Sequence, residues 1–231
     1  MRSRWRWVVP VVALLVGACG GGGSSGDPVG PPPAAAGAAG DAGTARTVVL
    51  QQADMPSGWN GAAHTETATE RARSAQVNSC LGRPDPTSYR SAIVYGPDFT
   101  MAPLQVSTVA TVLNTPQDAK ADLDSVRGAK YGDCVFAAFR QDLQDQAPTA
   151  RVDTVAIEAL PVENFGDGSV GIRLTANLVY PDHTDRIYAD LIYISKNRAT
   201  VSATFFSFAQ PFPATLEQSL VSRIGNRIAT A

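Results

Sequence analysis

Between Val170 and Tyr180 the chain alternates without a break: Val170, Ile172, Leu174, Ala176, Leu178 and Tyr180 are separated by Gly171, Arg173, Thr175, Asn177 and Val179. A period of two puts every second side chain on the same face, so this run predicts a strand with one buried face. Pro181, Asp182 and His183 predict a turn after it. From Arg186 to Ser195 both parities are apolar, Ile187, Leu191 and Tyr193 on one and Tyr188, Ile192 and Ile194 on the other, which marks a central strand covered on both sides. Lys196 and Asn197 then separate it from Ala199 to Phe208, and asparagine tolerates the left-handed backbone that a two-residue hairpin turn requires. Three strands in this order predict an antiparallel meander.

The runs Val152 to Leu160 and Leu104 to Leu113 carry the same signal, and Tyr89 to Tyr95 is a candidate for one strand more. The expectation is an antiparallel sheet of about five strands. Helices are fewer. Thr115 suits an N-cap and Pro116 the first helical position, followed by Ala119, Leu123 and Val126 on one face. Leu216, Leu220, Ile224 and Ile228 recur every four residues, in a helix started by Pro213 or by the Thr215 and Gln218 pair. The stretch Val135 to Gln146 fits either state. The fold class expected is therefore α+β, an antiparallel sheet with helices packed on one face in two layers.

The N-terminus is read as targeting rather than fold. Arg2, Arg4 and Arg6 precede an apolar run from Val8 to Val16, the layout of an export signal and far short of the roughly 20 residues a membrane-spanning helix needs. Val16, Gly17, Ala18 and Cys19 resemble a bacterial lipobox, which implies cleavage before Cys19 and lipidation of that cysteine. Two acyl chains would hold the protein at a membrane, since each buried methylene contributes about 0.8 kcal/mol. No adjacent arginine pair marks the folded-export route, so Sec export is expected. From Gly20 to about Ala45 the chain is almost wholly Gly, Ala, Pro and Ser, a composition expected to act as a flexible spacer. The expected organisation is a signal peptide over 1–18, an anchor and tether over 19–46, and one extracytoplasmic domain over 47–231.

Charge and cysteines narrow the function. Without the three signal arginines, 16 basic residues face 21 acidic ones, opposite to the basic balance of a phosphate-backbone binder, so no nucleic-acid partner is expected. Lipidation of Cys19 leaves Cys80 and Cys134, an even pair in an exported chain and an expected disulfide. They lack the CxxC spacing of a redox pair.

Catalytic patterns are sparse. The only histidines are His64 and His183. Asp182, His183 and Asp185 would suit a hard or borderline cation if they converged, but a polar hairpin turn is the simpler reading. Ser169 lacks the Gly-x-Ser-x-Gly frame of a hydrolase nucleophile. No glycine loop that could cradle phosphate precedes a helix. The pairs Asp122 with Asp124 and Asp142 with Asp145 are expected to be solvated charge. No catalytic set, metal site or cofactor is expected. The aromatics suggest recognition instead: Trp59 in the turn Met55-Pro56-Ser57-Gly58-Trp59, and Phe206 and Phe208, which alternation sets opposite Phe205. These three are the candidate ligand-binding residues. If helices cover Phe205, the Phe206 face needs another cover, a loop, a ligand or a partner.

Taken together, Asp54-Met55-Pro56-Ser57-Gly58-Trp59, the Cys80 and Cys134 pair, the turn Gly166-Asp167-Gly168-Ser169, the hairpin Lys196-Asn197-Arg198-Ala199-Thr200-Val201 and the amphipathic last helix resemble actinobacterial sensor-domain-containing lipoproteins. These are similar in style to the extracellular sensor domains of mycobacterial serine/threonine kinases, with PsbP-like lipoprotein domains as a neighbouring class. The chain departs from the kinase domains, which usually hold two disulfides. The resemblance implies an α+β module on the outer face of the cell membrane, with a groove for an unknown small ligand or envelope protein and no catalytic residues to carry over. The leading expectation is a non-catalytic, sensor-like binding lipoprotein; the alternatives are a carrier of an apolar or lipid-like ligand and a cell-envelope hydrolase.

Overall fold

The computed structural model describes residues 36–231; the signal peptide, Cys19 and most of the expected tether lie outside them. Helix α1 (Ala36–Val48) leads into a short 3-10 turn and strand β1 (Asn60–Ala62), then α2 (Ala68–Cys80), β2 (Arg90–Tyr95), β3 (Asp98–Met101) and β4 (Leu104–Leu113). Two helices follow, α3 (Pro116–Arg127) and α4 (Tyr131–Gln146), and then β5 (Arg151–Ala159), β6 (Gly168–Val179), β7 (Thr184–Lys196), β8 (Ala199–Phe208) and α5 (Ala214–Ala229). All eight strands join one antiparallel sheet in the order β1-β3-β4-β8-β7-β6-β5, with β2 paired to β4 beside β3. The α+β class and the β6-β7-β8 meander match the sequence expectation. The strand count is eight rather than five because the Tyr89 to Tyr95 candidate is β2 and because β1 and β3 are three and four residues long, too short for alternation to register.

The expectation of helices on one face is corrected: they cover both. On β8, Phe205 packs with α1 and α5 while its neighbour Phe206 packs with the α3 and α4 side. Ile192 and Ile194 of β7 likewise face α5, and Leu191 and Tyr193 face α3 and α4. This is why β7 is apolar at both parities. A strand read as covered on both sides already requires three layers, and the second layer comes from segments whose helical signal was weak.

The tether expectation is corrected as well. Residues 36–48 are helical, with Ala45 and Val48 at 1% and 0% exposure inside the core. Asp41 accepts hydrogen bonds from Arg198 (2.6 Å) and from the Ser91 hydroxyl. Alanine has the highest helix propensity, and Val48, Val49 and Leu50 give the helix something to bury. The folded unit therefore includes residues 36–46.

The remaining elements follow local chemistry. In α3, the Thr115 hydroxyl accepts from the Asp118 N–H at 3.1 Å and Asp118 accepts from the Thr115 N–H at 3.0 Å, a complete capping box. Helix α5 starts from Pro213 as N-cap, and Leu220, Ile224 and Ile228 are at most 1% exposed. The β7-β8 turn is Asn197-Arg198, one residue later than expected, since Lys196 pairs with Ala199; Asn197 takes φ 51°. The Gly166-Asp167-Gly168 turn is as expected, Gly166 at φ 59°, and Asp167 accepts from the Asn197 N–H at 2.6 Å, tying the start of β6 to the hairpin.

Candidate functional site: an apolar groove on the sheet

The alternation that defines the meander also builds a floor. Leu178 and Tyr180 at the end of β6, Asp185 and Ile187 at the start of β7, and Phe206 and Phe208 at the end of β8 share one sheet face, with Leu178 paired to Asp185 and Ile187 to Phe208. Farther along that face α4 lies over the sheet. The helix ends at Gln146, and beyond Leu143 and Ala147 the floor is uncovered. The result is a groove of about 880 Å³, with the Thr100 to Gln105 turn as one wall, the end of α4 as the other, and Gly58 and Asn60 at the edge. Gly58 has φ 91°, a backbone region that glycine adopts without strain.

Phe206 and Phe208 meet edge to face at 5.0 Å, Phe206 meets Phe139 of α4 at 6.3 Å, and Phe139 meets Phe136 at 6.2 Å. Aromatic pairs in such geometry add about 0.5–1.5 kcal/mol beyond burial. The series runs from the core into the groove. Phe206 is 5% exposed and Phe208 half-buried, so Phe208 offers the larger free surface.

Trp59, the third candidate, is elsewhere. It is 4% exposed and packs on Phe212 at 6.2 Å, which in turn meets Phe205 at 5.1 Å, all within the core on the α5 side. Its neighbours Gly58 and Asn60 reach the groove; Trp59 does not line it. Nor does Asp54 of the same motif. It holds Arg227 of α5 through two bonds of 2.5 and 2.8 Å. Burial raises the Asp54 carboxyl, but the Arg227 and Gln51 hydrogen bonds outweigh that and bring it below the usual range.

At the mouth, the Tyr180 N–H donates to the His183 carbonyl at 2.9 Å and closes the β6-β7 turn. The Tyr180 and His183 rings stack at 4.5 Å and 7°. His183 Nδ1 lies 2.7 Å from Asp182 and Nε2 3.5 Å from Asp185. The hydrogen bond to Asp182 raises the imidazole above its ordinary value. Both ring nitrogens are thus engaged by carboxylates in an ion-pair bracket; among the described residues the lining holds no Ser, Cys or Lys, and its one aliphatic hydroxyl is Thr100. Among the described residues no group of His, Cys, Asp and Glu is arranged to hold a metal ion.

Cys80 and Cys134 are bonded, Cα to Cα 5.8 Å, joining the end of α2 to α4. The same helix corrects the reading of the acidic pairs. Asp142 is buried against Arg73 of α2 (2.8 Å), which also reaches Asp145. Asp122 is buried against Arg83 and accepts from the Tyr193 hydroxyl at 2.5 Å. Each pair thus has one structural member, while Asp124 stays at the surface with Lys120. Burial lifts Asp142 to about 6 despite Arg73. Sequence reading missed α2, although Thr67-Ala68-Thr69-Glu70 is a capping box, with Thr67 N–H to Glu70 at 2.5 Å. It also missed the Met101 to Leu104 wall and Leu143. The wall is an ordinary turn in sequence, and Leu143 sits in the segment that fitted either state.

No protein-family model and no curated protein matches the chain. Among solved structures it is similar to the extracellular domain of PknH from Mycobacterium tuberculosis, at 9% identity and a TM-score of 0.45 over 82% of this chain and 97% of that one. It is also similar to a protein of unknown function, PA94, from Pseudomonas aeruginosa, at 13% identity and a TM-score of 0.20 over 55% of this chain and 71% of that one. Likenesses this distant assign no function.

Proposed function

We propose that this protein is a lipoprotein, acylated on Cys19 and held at the outer face of the cell membrane, whose single domain binds a small apolar ligand in the groove without transforming it. The groove carries this reading. An apolar floor with a few polar groups at one end, about 880 Å³ in volume, is within the range of small-molecule sites. Phe208 and the Met101 wall supply apolar surface that the fold itself leaves uncovered, Met101 being 36% exposed. A sensor-like or accessory role follows if binding is reported to an envelope partner. No helix among the described residues is long and apolar enough to cross a membrane, and in this reading Cys19 is the attachment. Replacing it by serine is expected to release the protein from membranes; protein still bound after a salt wash would contradict lipidation.

Native mass spectrometry of the protein, purified gently from its own membrane, tests the groove. The expected result is an excess mass that disappears on denaturation and is absent from Phe208→Glu. A ligand-free mass in both, from protein never exposed to competing detergent, would count against stable ligand binding. Carriage of a lipid-like ligand is favoured by the same apolar floor and differs in outcome: a carrier hands its ligand from one vesicle to another, whereas a sensor retains it.

A further inference from the structure

We propose that the ligand of the groove carries a protonated amine, seated where Asp185 and Tyr180 end the apolar floor; this rests on the groove binding an apolar ligand, as proposed above. Asp185 lies two residues from Ile187 on β7 and directly across from Leu178, so a carboxylate continues the hydrophobic surface. It is 38% exposed at its side chain, neither fully hydrated nor sealed. Among the described residues the lining contains no Lys or Arg, and its acid-base groups are Tyr180, His183 and Asp185. Arg186, next in the chain, takes the opposite parity and gives its Nε to Asn177 at 3.2 Å.

Charge at the mouth is unbalanced in one direction. Among the described residues His183 is the one cation of the bracket, and Asp182 and Asp185 both face it. Even with the imidazolium formed, one negative charge remains. A carboxylate or phosphate head would be repelled there, and an ammonium would complete the set. The Tyr180 hydroxyl is buried and has no hydrogen-bond partner among the described residues. Buried polar groups are ordinarily satisfied, and this oxygen can accept from an ammonium N–H that also donates to Asp185. The half-buried Phe208 ring favours a cation over an anion as well.

The test is calorimetric titration of the full chain bearing Cys19→Ser, free of lipid, with three probes of equal chain length: dodecylamine, dodecanol and laurate. Dodecylamine is expected to bind at least about tenfold more tightly than laurate, a difference of about 1.4 kcal/mol, with dodecanol between them. Asp185→Asn is expected to remove the amine's advantage over the alcohol; Tyr180→Phe should narrow it in the same sense. Laurate binding as tightly as the amine, or an amine preference that survives Asp185→Asn, would overturn the head assignment and leave the groove intact. Binding of none of the three to protein with native circular dichroism would overturn the groove reading itself, and the head assignment with it.

Discussion

Both faces of the sheet are closed by apolar helices, but to different extents. On one, α5 lays Leu220, Ile224 and Ile228 over Ile192, Ile194 and Phe205, with α1 filling the remainder, and leaves a hollow of about 290 Å³ beside Glu217. On the other, α3 and α4 lay Leu123, Val126, Phe136, Phe139 and Leu143 over Leu174, Leu191, Tyr193 and Phe206, and α2, poor in apolar residues, packs on α4, where it is held by the Cys80 to Cys134 bond, by Arg73 on Asp142 and, just beyond the helix, by Arg83 on Asp122. Hydrophobic burial is non-directional and improves with coverage. A disulfide and a few ion pairs act at points, and can fix a helix while leaving sheet beyond it bare. The groove lies on that second face, beyond the end of α4.

The largest expected effect breaks that distinction. Closing a loop with the 54-residue separation of Cys80 and Cys134 contributes about 4 kcal/mol in the chain-entropy model. Cys80→Ser and Cys134→Ser should therefore lower the Tm equally, and the double variant no further; additive losses in thermal melts would argue that each thiol acts on its own. On the α5 face, Ile224→Ala should cost about 3 kcal/mol through the cavity it leaves, measured by urea unfolding, with amine and alcohol binding unchanged in the folded protein.

A subtler asymmetry is electrostatic. Arg173 grips Asp190 through two bonds of 2.6 Å, and Asp190 is wholly buried. Burial, followed by the neighbouring Asp190 charge and hydrogen bond, lifts Glu217 to about 8. Since the folded form then holds a proton that the unfolded chain releases near 4.5, stability should fall as pH rises from about 4.5 to 8. Glu217→Gln should abolish most of that decline. A residual loss below pH 6 is expected from Asp142 on the opposite face, raised in the same direction. An unchanged Tm profile in Glu217→Gln would show that the carboxyl is ionised throughout. The smallest effect on stability is expected from Phe208→Ala, about 1–2 kcal/mol for a half-buried ring, together with at least a tenfold loss of dodecanol affinity.

What could be foreseen from the chain divides along the same line. Strands long enough to alternate, and α5 with its strict four-residue spacing, follow from hydrophobic pattern alone, and the disulfide follows from an even cysteine pair in a chain expected to be exported. Phe206 and Phe208 were legible as a second face because alternation sets them opposite Phe205. Helix α2 was not, since its stabilisation comes from cysteine, arginine and a capping box rather than an apolar stripe. Helix α1 hid in a composition of alanine and glycine whose burial depends on Asp41 meeting Arg198, 157 residues away. Trp59 carried an aromatic signal that core and binding site share, and only the tertiary arrangement shows which core it joined.

The β6-β7 turn has a consequence for how such a protein changes over evolutionary time. Tyr180 to Asp185 forms one rim of the groove, and Asp182 and His183 take little part in holding the sheet together. Turns accept substitution far more readily than the strands they connect. The charge at the rim can therefore be rewritten, acidic to basic or polar to apolar, while Leu178, Ile187 and Phe206 keep the floor in place. A lineage carrying this scaffold could exchange one ligand class for another through two or three replacements in six residues, leaving the rest of the molecule recognisably the same.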